Sequence, residues 1–187
     1  MSPSSTVLLG GLSPAANAEG NIAPVDFLSQ VYAAGDRAYF DAVAFHPYSF
    51  PVLPLNPQPW NAWTQMATAS SSLRSVMLAN GDGEKKIWVT EYGAPTGGPG
   101  ASTNNGTLAN YSAAVDHVTE ALQAQMMAQA VAAEETTTWM GPLFWYSYED
   151  LGTSTGTIEN FFGLLRHDGS QKPAYPVLKG LASSTTP

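Results

Sequence analysis

The sequence contains no cysteine among its 187 residues, so it has no disulfide, no thiolate nucleophile and no cysteine-ligated metal. Basic residues are also scarce. Seven Lys and Arg stand against fifteen Asp and Glu, for a formal charge of −8 at pH 7. Phosphate backbones and anionic bilayers are bound through clustered cations, and no such cluster occurs, so nucleic acid and membrane are poor partners. No stretch approaches the ~18 continuous apolar residues of a membrane span. Met1-Ser2-Pro3-Ser4-Ser5 lacks the basic start and apolar core of a signal peptide, so the chain as written reads as soluble. The three His residues, 46, 117 and 167, are not at metal-ligand spacing, and no phosphate-cradling glycine loop or Gly-x-Ser-x-Gly elbow is present. Neither a metal nor a cofactor is expected.

What is present describes a globular α/β chain. Hydrophobic residues make up 44% and charged residues only 12%, which leaves a neutral, polar surface compatible with a ligand such as a sugar. Residues 1–187 fit a single domain, but they fall short of the ~250 residues of a complete (β/α)8 barrel. Four short apolar runs stand at residues 6–12, 40–46, 86–91 and 141–147, each bounded by Gly or Pro. Such runs suit parallel strands buried on both faces. Helical periodicity fills the intervals, over residues 24–34, 61–78, 110–133 and 174–181. Strand followed by helix, four times over, is the signature of parallel βα units. The loops over residues 49–58 and 94–105 follow strand ends, where barrel enzymes carry their chemistry.

Trp88-Val89-Thr90-Glu91-Tyr92-Gly93 is the sharpest feature. Alternation puts Ile87, Val89 and Glu91 on one face, and a carboxylate continuing an apolar row needs hydrogen-bonding partners or a task. A glutamate here could equally cap the next helix or face solvent. His46-Pro47-Tyr48 ends the preceding run, and an imidazole or phenol there could orient a neighbouring carboxylate. Taken alone, His46 fits a structural role beside a proline turn just as well. Phe144-Trp145-Tyr146-Ser147-Tyr148-Glu149-Asp150 supplies aromatic faces of the kind that stack on sugar rings, with Phe144 suited to core packing. His117 falls inside the third helical stretch and His167 in a turn. Asn105 and Asn110 match the glycosylation pattern, a match that is common by chance.

Taken together, the segments Val7 through Pro14, Phe40 through Tyr48, Ile87 through Gly93, Leu143 through Tyr146, and Gly163 through Tyr175 resemble the second half of clan A glycoside hydrolases. These are the retaining (β/α)8 enzymes that include cellulases and β-xylosidases. The resemblance spans almost the whole chain and makes its four strands barrel strands five to eight. It implies β-glycoside hydrolysis of an oligo- or polysaccharide. Glu91 falls on the nucleophile position, His46 and Tyr48 on the residues beside it, and Trp145 on the sugar platform; Tyr148, in the same aromatic run as Trp145, is a further candidate substrate contact. It also implies secretion, although this chain shows no leader.

One part of the family pattern is missing. The family's acid/base is a glutamate in an Asn-Glu pair at the end of strand four, and this sequence contains no Asn-Glu dipeptide. Retaining hydrolysis needs two carboxyl groups about 5–5.5 Å apart. The expectations are therefore a fragment of a longer gene, a non-catalytic carbohydrate-binding or relic half-barrel, or a half-barrel closed by a second copy. In the last case Glu149, which alternation from Trp145 places on the barrel-facing row if the strand persists that far, would reach the partner's Glu91 as acid/base.

Overall fold

The computed structural model describes residues 5–99 and 117–184. Asn105, Asn110 and residues 110–116 of the expected third helix lie outside the described residues. Eight elements alternate: β1 (Leu8–Leu12), α1 (Pro24–Ala33), β2 (Ala42–Phe45), α2 (Leu73–Ala79), β3 (Lys86–Tyr92), α3 (Glu120–Thr136), β4 (Met140–Trp145) and α4 (Ala174–Ser184). The four strands form one sheet in chain order, with β1 parallel to β2 and β2 parallel to β3 in the register Phe45↔Val89. This is the α/β arrangement of a TIM-type half-barrel, as the spacing of the apolar runs predicts. Burial on both faces, expected of all four strands, holds for β2. The end strands β1 and β4 are partly exposed because each has a neighbour on one side only.

The described residues group into two compact units. The first comprises the chain up to Tyr48, Pro57–Glu91 and Thr137–Phe144. In it, α1 starts with Pro24 in the first turn and stops at Gly35, whose φ of 86° lies in the left-handed region. Residues 61–78, expected as one helix, are split into a π-helical turn (Thr64–Thr68) and α2. The cause is Ser72. Its hydroxyl accepts the Ser75 N–H at 3.1 Å while the Ser75 hydroxyl accepts the Ser72 N–H at 2.8 Å, a reciprocal cap that requires extended backbone at Ser72. The apolar stripe survives the break, and Trp63, Met66, Leu73 and Met77 are all buried.

The loop between α2 and β3 is pinned by Asp82, whose carboxylate is 3% exposed. It accepts from Arg37 Nε at 2.7 Å and Tyr32 Oη at 2.8 Å, and pairs with Lys85 Nζ at 2.9 Å. Burial pushes its pKa up, but hydrogen bonds from Lys85, Tyr32 and Arg37 outweigh burial and hold it below the ordinary carboxylate value. Replacing Asp82 by Ala leaves two cations without their counter-charge. The expected loss is about 3 kcal/mol, read as a fall in Tm of about 9 °C. The sign of the pH dependence follows from the depressed pKa: the contribution is complete above the unfolded value of about 3.9 and is lost as pH falls through the lower folded value. Thermal melts between pH 2 and 6 should therefore show a shallower acid limb in Asp82→Asn than in the wild type.

The second unit holds Ser49–Asn56, the described chain from Tyr92 to Thr136, and the chain from Trp145 onward. Helices α3 and α4 close over Met127, Leu164 and Ala174. α3 begins at Glu120, with the Thr119 hydroxyl accepting the Leu122 N–H at 3.0 Å. His117 therefore precedes the helix instead of lying within it, and Val118 forms a parallel bridge to Thr96. Beneath lies a buried ion pair. Lys172 Nζ donates to Asp150 Oδ1 at 2.7 Å, Thr96 Oγ1 at 2.9 Å and the Phe161 carbonyl at 2.9 Å, using all three ammonium donors. Burial pushes the lysine pKa down and the aspartate pKa up, and their attraction opposes both shifts.

Candidate active site

Three strand ends in the first unit supply the site. β2 stops at Phe45 and is followed by buried Pro47, which has no N–H to continue a ladder. His46 and Tyr48 flank that proline. The register Phe45↔Val89 brings them beside the end of β3, where Glu91 stands. Tyr48 Oη donates to Glu91 Oε2 at 3.0 Å. His46 Nδ1 lies 3.5 Å from the same oxygen, an electrostatic contact longer than a good hydrogen bond. Glu91 is 43% exposed and His46 18%. The structure thus brings together three of the residues singled out from the sequence.

Two further residues, in β1 and just beyond its end, stand against His46 and were not among the candidates singled out from the sequence. Ser13 Oγ lies 3.4 Å from His46 Nδ1. At Gly11 a Cβ would stand 3.1 Å from His46 Nε2 and 3.2 Å from Cε1, so glycine leaves room for the imidazole. The available signal was their position, at and just beyond the end of the first apolar run.

Chemically, the two carboxylate oxygens of Glu91 differ. Oε2 is engaged by a phenol and an imidazole, whereas Oε1 accepts no hydrogen bond among the described residues. One oxygen is held in place and the other keeps its lone pairs open. No group of three or more His, Cys, Asp or Glu able to hold a metal occurs among the described residues.

The remaining candidates belong to the second unit. Trp145 is half-buried. Its ring meets Tyr92 edge-on at 5.7 Å and packs beside Met127, Leu164 and Ala174, and its Nε1 donates to the Phe162 carbonyl at 3.3 Å. Tyr148 is 63% exposed, and Glu149 is exposed as well. β4 ends at Trp145, so strand alternation does not reach Glu149, which instead bridges Leu165 through its backbone. Asp150, the neighbouring carboxylate, turns inward to Lys172. Phe144, expected in the core, is 50% exposed because β4 is a sheet edge, and it stacks on Trp88 at 6.4 Å. Gly93 is fixed by close approach, since a Cβ there would lie 2.0 Å from the Tyr146 carbonyl oxygen.

Parallel strands in chain order, each followed by a helix, are the α/β pattern of a (β/α)8 barrel, and a glycoside hydrolase of known structure shares this fold. A family 39 glycoside hydrolase from the gut symbiont Bacteroides cellulosilyticus WH2 matches with a TM-score of 0.58 and 24% identity, over 84% of this chain and 30% of that one. A GH2 β-galacturonidase from Eisenbergiella tayi gives 0.49 and 18%, over 79% and 24% of the two chains. A β-D-glucuronidase of Dictyoglomus thermophilum gives 0.48 and 17%, over 80% and 23%. The chain spans less than a third of each of these proteins. No family model matches the sequence, and no curated protein matches it either.

Proposed function

We propose that the chain is the C-terminal half, strands five to eight, of a retaining β-glycoside hydrolase barrel acting on a cellulose- or xylan-like saccharide, with Glu91 as nucleophile. The observation that carries this reading is the asymmetric environment of the Glu91 carboxylate at the carboxyl end of β3, with Oε2 anchored by Tyr48 beside His46 and Oε1 open.

In the first step Oε1 attacks the anomeric carbon while the glycosidic C–O bond breaks and a general acid protonates the leaving oxygen. In the second, water deprotonated by that same group attacks the anomeric carbon and releases Glu91. Two inversions leave the configuration unchanged. Tyr48 and His46 hold the carboxylate and meet a sugar hydroxyl. Tyr148 offers an open ring to the saccharide, and Trp145 contributes the part of its ring that packing leaves uncovered. For the general acid we propose Glu149 of a second copy, in a homodimer that closes the barrel. A four-stranded sheet has two unpaired edges, and two copies would supply the eight strands of a full barrel.

The test is to follow hydrolysis of 4-nitrophenyl β-glucoside and β-xyloside by proton NMR. Initial release of the β-anomer supports the reading, and initial release of the α-anomer contradicts it. A second reading, a non-catalytic carbohydrate-binding half-barrel, is favoured by the ending of β4 before Glu149. It is distinguished by saccharide binding without turnover in the dimer.

A further inference from the structure

We infer that Ser13, just beyond the end of β1, is a positioning residue that keeps the proton of His46 on Nδ1, facing Glu91. The inference deepens the hydrolase reading, and its kinetic part rests on that reading. Gly11, Leu12 and Ser13 together seat the imidazole. The His46 N–H donates to the Leu12 carbonyl at 2.8 Å, which carries the parallel ladder one step past Leu12↔Phe45 and brings His46 level with Ser13. A Cβ on Gly11 would stand 3.1 Å from Nε2 and 3.2 Å from Cε1, so the ring occupies space that glycine leaves. Ser13 Oγ reaches Nδ1 at 3.4 Å and makes no other hydrogen bond among the described residues.

Nδ1 has one in-plane direction, for either a proton or a lone pair, and two oxygens meet it. Ser13 Oγ stands at 3.4 Å and Glu91 Oε2 at 3.5 Å. An ionised carboxylate can only accept, so a bare Nδ1 would set lone pair against lone pair. A hydroxyl can accept or donate, and beside that carboxylate it accepts. One Nδ1–H shared between two acceptors accounts for both distances exceeding the about 2.7–3.2 Å of a single N–H···O bond. Nε2 is then the bare nitrogen, and it makes no hydrogen bond among the described residues.

The consequence lies at Glu91. With Nδ1–H facing it, Oε2 receives Tyr48 and His46 together, and Oε1 alone keeps its lone pairs open. With the proton on Nε2, Oε2 would be held by Tyr48 alone and would face a bare nitrogen. Ser13 thus acts on the carboxylate through the imidazole.

The experiment records two-bond ¹H–¹⁵N spectra of the imidazoles in the 187-residue chain, at an alkaline pH where free histidine is neutral, with His46→Gln to assign the signal. The expected result is a protonated Nδ1 and a bare Nε2 in the wild type. Ser13→Ala removes one acceptor, and the ratio of the two neutral forms should move about fivefold toward Nε2–H. Ser13→Thr keeps the hydroxyl and should restore the wild-type ratio. Ser13 is exposed, so neither variant should disturb folding. On a β-glycoside, Ser13→Ala should lower kcat about fivefold and leave KM within about twofold. A protonated Nε2 in the wild type would overturn the inference, as would an unchanged ratio in Ser13→Ala. Wild-type turnover would leave the hydrolase reading standing in either case. The expected ratios without turnover of any β-glycoside would contradict the hydrolase reading and leave Ser13 in its role.

Discussion

Glu91→Gln should abolish turnover of a β-glycoside, with kcat/KM falling by at least about 10⁴-fold while the fold persists. The amide keeps the shape of the carboxylate and still accepts the Tyr48 hydroxyl at 3.0 Å, so the positioning contact survives and the nucleophile is lost. Because Glu91 is 43% exposed, the substitution buries no unpaired group, and Tm should move by less than about 2 °C. Glu91→Ala opens space at the same point. Sodium azide should then restore cleavage of an activated aryl glycoside and yield the α-glycosyl azide, because a single displacement replaces two. A Glu91→Gln variant with wild-type kcat/KM would show that the carboxylate takes no part in bond cleavage.

The second large effect concerns Glu149. A general acid contributes about 10²–10⁴-fold, and its contribution grows with the basicity of the leaving group. Glu149→Gln should therefore lower kcat/KM for an unactivated disaccharide about 10³-fold while leaving kcat/KM for a 2,4-dinitrophenyl glycoside within a few-fold of wild type, its kcat falling because the base of the second step is also lost. The composite-site proposal adds a sharper expectation. Glu91→Gln and Glu149→Gln are each inactive on the disaccharide, but when dissociated and reassociated together half of the dimers contain one copy of each. Each such dimer has one intact site of two, so about one quarter of wild-type activity should return. A monomer with full activity, by light scattering and assay at the same concentration, would contradict the shared site.

Much of the arrangement was legible in the sequence for identifiable reasons. The four apolar runs are short, bounded by Gly or Pro and separated by helical periodicity, so the parallel sheet follows from pattern alone. His46, Tyr48 and Glu91 could be placed together because each sits within three residues of a strand end, and adjacent parallel strands bring such ends side by side. What was missed depends on long-range partners. The separate fates of Glu149 and Asp150 turn on Lys172, which lies 22 residues beyond Asp150 and draws only that carboxylate into the core. The break in the helix over residues 61–78 depends on two serines capping each other, a local choice that an otherwise continuous apolar stripe conceals. Phe144 reads as core from its neighbours, and only its place on the sheet edge exposes it.

Glu91 is tested most directly by trapping the intermediate. The protein is incubated with 2,4-dinitrophenyl 2-deoxy-2-fluoro-β-glucoside and the corresponding xyloside, digested, and sequenced by mass spectrometry. The result expected is a fluoroglycosyl ester on the peptide carrying Trp88-Val89-Thr90-Glu91-Tyr92, at Glu91 itself. A label on any other carboxylate, or turnover of unfluorinated substrate with no labelled peptide, would contradict Glu91 as the nucleophile.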